Sequence, residues 1–296
     1  MTERFSRGDS MRVGGILTAM VTPFDAEGRL DEDAAVRLMH HLLENGSDGL
    51  VLAGSTGESP TLTDEEKCRL WELAVAESPA GTTIVAGTGS YDTRHTVELT
   101  ERATRIGVSA MLVVAPYYNK PNRAGIRAHF EAVAGSTDRP IVVYNIPSRA
   151  VIDIPNDLLA ELAEIDNVVA VKQARYDDMR AIDGLDLLAG NDEVLGKVMD
   201  LGGTGGILVA SHLVGREMRR IIDEPDSRHE IEDGLRDLYE ALTVTTNPIP
   251  VKAALNMAGH EVGGLRLPLV EATEDEKSVI RAALERHQLL AVEPTR

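Results

Sequence analysis

Eight apolar runs of strand length recur along the 296-residue chain, at 15–22, 48–53, 82–87, 110–116, 140–146, 168–172, 185–189 and 206–210. Amphipathic segments separate most of them. In the clearest, 31–45, Ala35, Leu38, Met39, Leu42 and Leu43 share one helical face and Gly46 supplies a stop. Thr63 with Glu66, and Thr273 with Glu276, have capping-box spacing, and Pro155 suits a first helical turn. Near-continuous apolar strands alternating with helices belong in a parallel sheet covered on both faces. Eight such units in one domain predict a closed (β/α)8 barrel of the α/β class, a TIM barrel. An open doubly wound sheet is the rival, but the first strand is not followed by G-x-G-x-x-G, nor by an acidic residue placed for a ribose.

From 214 to 288 the pattern is helical again, with a break at Asn247-Pro248-Ile249-Pro250. This is more helix than a minimal barrel requires. The expected division is a flexible lead-in at 1–12, a catalytic barrel at 13–213 and a C-terminal helical extension at 214–296 packed on the barrel. Met11 is an alternative start to Met1.

Composition narrows the partners. A net charge of -18 gives the chain no electrostatic footprint for nucleic acid or for an anionic membrane surface. The single cysteine, Cys68, cannot form an internal disulfide, and no run reaches the length of a membrane span, so a cytoplasmic location is expected.

One charge stands where a buried strand should have none. Lys172 closes the run Asn167-Val168-Val169-Ala170-Val171. Burial disfavours an ammonium and lowers its pKa, leaving an amine lone pair able to attack a carbonyl. A lysine paired to a carboxylate is the plain alternative. In a barrel the site forms at the C-terminal strand ends, which here carry Gly54-Ser55-Thr56-Gly57-Glu58-Ser59, Pro116-Tyr117-Tyr118-Asn119, Tyr144-Asn145-Ile146-Pro147-Ser148-Arg149 and Lys172. The first of these offers two hydroxyls and backbone N–H groups in a glycine-hinged turn suited to a small carboxylate. Tyr144 would lie beside the amine to ferry protons, and Arg149 has the planar fork for a second carboxylate. The glycine run 202–206 precedes the eighth strand and so belongs at the opposite face, which favours an unphosphorylated keto acid.

G-S-T-G-E-S, P-Y-Y-N-K-P, Y-N-I-P-S-R, V-K-Q-A, N-P-I-P-V-K (Asn247 to Lys252) and L-R-L-P (Leu265 to Pro268), in this order, resemble the dihydrodipicolinate synthase family. That family lies within the pyruvate-dependent class I aldolases that include N-acetylneuraminate lyase. The likeness runs from about Val13 to Leu289. It implies Lys172 as the Schiff-base lysine for pyruvate and Tyr144 as proton donor and acceptor. Ser55 and Tyr118 would complete a proton relay, with Tyr118 reaching into a neighbouring subunit. Thr56 would bind the pyruvate carboxylate, Ile207 would flank the adduct, Gly190 would form pocket wall, and Arg149 would receive the carboxylate of L-aspartate 4-semialdehyde. No metal or organic cofactor is implied, and the implied assembly is a homotetramer, a dimer of dimers.

The chain departs from the family pattern at three points. Ser55 stands where threonine is usual, Ala150 where a hydroxyl is common, and Gln173 where synthases often carry an acid. Lyases and 2-keto-3-deoxygluconate-type aldolases can carry glutamine there, so a sugar-acid aldolase is the alternative function. A non-catalytic barrel is disfavoured by the intact Lys172, Tyr144 and Tyr118. Asp64, Lys67, Tyr91 and His95 occupy the positions of the family's lysine-inhibition pocket without resembling it, which predicts weak or absent inhibition by lysine. His40 and His41 are expected on a helix, and His212 follows the eighth strand with no second metal ligand at suitable spacing.

Overall fold

The computed structural model describes residues 13–291. The expected lead-in at 1–12 and the choice between Met1 and Met11 lie outside the described residues. Eight strands, joined through helices everywhere but between β6 and β7, run along the chain: β1 Gly15–Ala19, β2 Gly49–Leu52, β3 Thr83–Gly87, β4 Ala110–Val114, β5 Ile141–Asn145, β6 Val168–Gln173, β7 Asp186–Ala189 and β8 Gly205–Leu208. Each pairs in parallel with the next, and β8 returns to β1 with Ile207 beside Leu17, so the sheet closes into a barrel. The helices of the outer ring are α1 Glu32–Glu44, α2 Asp64–Glu77, α3 Thr93–Ile106, α4 Arg123–Ala134, α5 Pro147–Ala150, α6 Asn156–Leu162, α7 Leu195–Asp200 and α8 Ser211–Asp223. A C-terminal helical extension follows as α9 Arg228–Gly234, α10 Arg236–Leu242, α11 Ile249–Met257 and α12 Glu274–Arg286. No helix among the described residues is long and apolar enough to cross a membrane.

Local chemistry explains most of these boundaries. Asp31 caps α1 by accepting from the Ala34 amide, and Gly46 takes the positive φ that ends it. Both capping boxes form, at Thr63–Glu66 before α2 and at Thr273–Glu276 before α12. Pro155 stands one position earlier than its sequence suggests, as the N-cap residue of α6. The first apolar run outlasts its strand: past Ala19, the Val21 amide donates to His212 Nε2 and the Thr22 hydroxyl to the Gly57 carbonyl, under cover of other loops. Between β6 and β7 there is no helix. Residues 174–185 make turns and an isolated bridge of Ile182 with Leu185. The expected division at 213/214 falls inside α8, at the break in its backbone at Val214.

Two apolar cores result. One lies between the sheet and its helices and includes Trp71, Phe130 and Leu255. The other fills the barrel with Leu17, Val51, Val85, Leu112, Leu188 and Ile207.

Candidate active site

Lys172 is the next-to-last residue of β6, level with Tyr144 of β5 and Leu188 of β7, and all three face the barrel interior. Strand alternation therefore turns Gln173 outward, where its Oε1 accepts from Asn145 Nδ2 and from the Arg175 amide. The glutamine that raised the sugar-acid alternative is thus a buried support beneath the barrel wall. Lys172 is only 5% exposed, and its Nζ lies 4.2 Å from the centre of the Tyr144 ring. Burial lowers its pKa from 10.5 to about 7; the Asp192 carboxylate opposes that shift and the Arg149 guanidinium adds to it. Burial also pushes the Tyr144 phenol up to about 12, against the Arg149 charge and a hydrogen bond with Ser55. The site thus holds an amine free to act as a nucleophile beside a phenol that keeps its proton.

A cleft of about 290 Å³ opens at Tyr144, lined by Ser55, Tyr117, Tyr144, Ile146, Arg149 and Asn247 among others; Lys172 lies behind the Tyr144 ring and is not part of the lining. The floor turn of the cleft follows β2. The Glu58 amide donates to the Ser55 carbonyl and the Ser59 amide to the Gly54 carbonyl, closing the turn that exposes Ser55. Thr56 is buried just behind Ser55, its Oγ1 accepting from Asn247 Nδ2 at 2.9 Å. Arg149 stands at the exposed rim on α5, held by its Nη2 donating to the Asn247 carbonyl at 2.9 Å.

The remaining expected residues are placed less uniformly. Gly190 follows β7, and its amide donates to the Gln173 carbonyl; a Cβ there would come within 2.7 Å of that oxygen, so the close approach requires glycine. Ile207 is fully buried in the barrel interior on β8. Tyr118 is not brought to the cleft of its own chain. It is 86% exposed, in a left-handed backbone conformation, and its neighbour Tyr117 lines the cleft instead. The run 202–206 does lie at the opposite end, leading into the N-terminus of β8. His40 and His41 lie on α1, and His212 is buried against Val21 and Val209, away from the cleft lining.

Sequence reasoning missed the roles of four residues. Asp192 is buried, with Oδ1 accepting from the Val209 and Ala210 amides after β8, and burial raises its pKa to about 6. Asn247 touches both Thr56 and Arg149. Glu58 and Lys252 form an ion pair at 2.7 Å with both side chains 1% exposed. Lys252 Nζ also donates to the Gly264 carbonyl, and the Arg266 amide donates to Glu58 Oε2. The available signal was that the N-P-I-P-V-K segment carries a polar residue at each end, five positions apart. Among the described residues no group of three or more His, Cys, Asp or Glu side chains is arranged to hold a metal ion.

Comparison with known proteins agrees with this geometry. Residues 12–287 match the dihydrodipicolinate synthetase family. The 4-hydroxy-tetrahydrodipicolinate synthase of Desulforudis audaxviator is 44% identical over 289 residues, covering 94% of this chain and 98% of the relative. Among solved structures, the synthase from Cyanidioschyzon merolae with lysine bound superposes with a TM-score of 0.90 at 39% identity, covering 94% of this chain and 99% of that one. The chloride-inhibited synthase from Acinetobacter baumannii complexed with pyruvate gives 0.91 at 32% identity, covering 94% and 100%. By fold, by the residues at its strand ends and by these matches along nearly its whole length, the chain belongs to the dihydrodipicolinate synthetase family.

Proposed function

We propose that the chain condenses pyruvate with L-aspartate 4-semialdehyde to give 4-hydroxy-tetrahydrodipicolinate, a lyase of the class I aldolase type in lysine and diaminopimelate biosynthesis. The observation that carries this is Lys172 itself: a buried amine, its pKa lowered to about 7, against the ring of Tyr144, which lines the cleft, in a chain of this family. Its Nζ attacks the keto carbon of pyruvate. The carbinolamine loses water with Tyr144 supplying the proton; the Tyr144 phenolate then takes a proton from the methyl carbon, and the protonated imine accepts the electron pair of that C–H bond to give the enamine. The resulting enamine attacks the aldehyde carbon, and the Schiff base is released after ring closure. Because the imine is the electron sink, the chemistry calls for no metal or organic cofactor.

In the same reading Thr56 and the backbone at Ser55–Thr56 take the pyruvate carboxylate. Ile207 packs against the adduct, Gly190 admits it, and Arg149 takes the carboxylate of the semialdehyde. Ser55 passes protons between Tyr144 and Tyr118. Because Tyr118 points away from its own cleft, it completes the site of a neighbouring copy in a homotetramer built as a dimer of dimers. We place the enzyme in the cytoplasm, with no role for nucleic acid or membrane.

The test is intact mass after borohydride reduction with pyruvate, on wild type and on Lys172→Ala. A pyruvate adduct on the wild type alone, followed by consumption of the semialdehyde, is the expected result. Absence of the adduct would remove the Lys172 assignment. An adduct without consumption of the semialdehyde would turn the reading to the sugar-acid aldolases. A fully active monomer would contradict the role given to Tyr118.

A further inference from the structure

We propose that Asn247 is a positioning residue of this site, one that sets which way the Thr56 hydroxyl points. The inference rests on the pyruvate reading above and extends it to a residue in the C-terminal extension, 191 residues away from Thr56 in sequence. A threonine hydroxyl has one hydrogen and two lone pairs, while an amide nitrogen only donates. With Asn247 Nδ2 donating to Thr56 Oγ1 at 2.9 Å, one lone pair of that oxygen is taken. Its hydrogen is then left to donate elsewhere, and the acceptor the reading supplies is the keto-acid carboxylate.

The surroundings support a purpose beyond packing. Asn247 Oδ1 is buried and has no hydrogen-bond partner among the described residues, a cost that a purely structural side chain would not carry in a cleft wall. The Asn247 main-chain carbonyl meanwhile accepts from Arg149 Nη2 at 2.9 Å. Five residues on, Lys252 is bound to Glu58, at the far side of the same turn that carries Ser55 and Thr56. One segment, Asn247 to Lys252, therefore grips that turn at two points and braces the arginine at the rim. Side chain and main chain of Asn247 divide the work: the amide serves the pyruvate end and the carbonyl serves the semialdehyde end.

That division makes the proposal testable. Asn247→Asp keeps size but replaces the donor with an anion. Asn247→Ala removes the donor and adds no charge. Half-saturating pyruvate is measured by borohydride trapping and intact mass, alongside steady-state KM values for both substrates and a thermal melt. Asn247→Asp should raise half-saturating pyruvate roughly 10- to 100-fold, and Asn247→Ala several-fold, with the adduct still forming at saturation. The KM for the semialdehyde should stay within about threefold of wild type, because the main-chain carbonyl is retained in both variants. A structural lesion of the loop would instead move both substrates together. Should Asn247→Asp not fold, Asn247→Ala decides alone: a selective rise in half-saturating pyruvate supports the proposal, and wild-type pyruvate binding or an equal rise for both substrates overturns it. No adduct on the wild type would sink this proposal and the reading beneath it together. An adduct on the wild type with unchanged pyruvate binding in both variants would sink this proposal alone.

Discussion

The protonation of Lys172 sets the rate of imine formation below neutrality, and two perturbations should move it in opposite directions. A lysine with a pKa of 10.5 is a free amine at pH 7 in roughly one molecule in 3,000, while one with a pKa near 7 is free in about half. Burial in the barrel therefore raises the reactive fraction at neutral pH by roughly three orders of magnitude. The rate of borohydride-trapped adduct formation at subsaturating pyruvate should rise with pH along a limb centred near 7. The Asp192 carboxylate holds the proton on Lys172 and the Arg149 guanidinium repels it. Asp192→Asn should thus shift the limb to lower pH, and Arg149→Met should shift it to higher pH. Asparagine can keep accepting from the Val209 and Ala210 amides through its own oxygen, so the loop after β8 should hold in the first variant. Stopped trapping followed by intact mass, from about pH 5 to 10, reads the limb directly. A wild-type limb above pH 9, or shifts of the same sign in both variants, would refute the account of Lys172 as an amine freed by desolvation and tuned by these two charges.

Three further outcomes are expected. Lys252→Met leaves the Glu58 charge unpaired in a site where both side chains are 1% exposed, and should cost about 3–5 kcal/mol in urea unfolding. Glu58→Gln combined with Lys252→Met should recover part of that loss, and a single variant within about 1 kcal/mol of wild type would contradict it. Acid should destabilise the protein through His129 and His212, whose burial lowers their pKa from 6.5 to about 4. The unfolded chain binds those protons first, so stability is full above about pH 6.5 and falls by about 3 kcal/mol per histidine as pH approaches 4. Melting temperature against pH should show the fall, and a curve unchanged in His129→Gln would count against that residue. L-Lysine at millimolar concentration should inhibit weakly or not at all, because Asp64 is engaged by His95 at 2.8 Å and by Lys67 at 3.6 Å; a clear inhibition curve would overturn this.

The barrel was legible in the sequence because its determinants are local or periodic. All eight apolar runs overlap strands, and Thr63–Glu66 and Thr273–Glu276 form the capping boxes their spacing predicts. Lys172 stood out for the same reason, as a charge inside a strand pattern that excludes charges. Five of the eight strand ends were read one to three residues too long, most at β1, where Met20, Val21 and Thr22 are buried by the loops above the sheet and look like strand by composition alone. The helix missing between β6 and β7 left no mark on the strand count.

What only the tertiary structure decided is where distant polar groups meet. Nothing local in Asn247 marks it as a partner of Thr56 and Arg149, and nothing in Glu58 names Lys252 as the cation that makes its burial tolerable. The same holds for Asp192 behind Lys172, and for the choice of Tyr117 over Tyr118 as the cleft-lining ring. Periodicity reports which face of an element is buried, so the sequence by itself determines the barrel and its inward lysine. Hydrogen bonds and ion pairs depend instead on ångström-scale approach between segments far apart in the chain, and those distances exist only once the barrel has closed and the C-terminal extension has packed against its mouth.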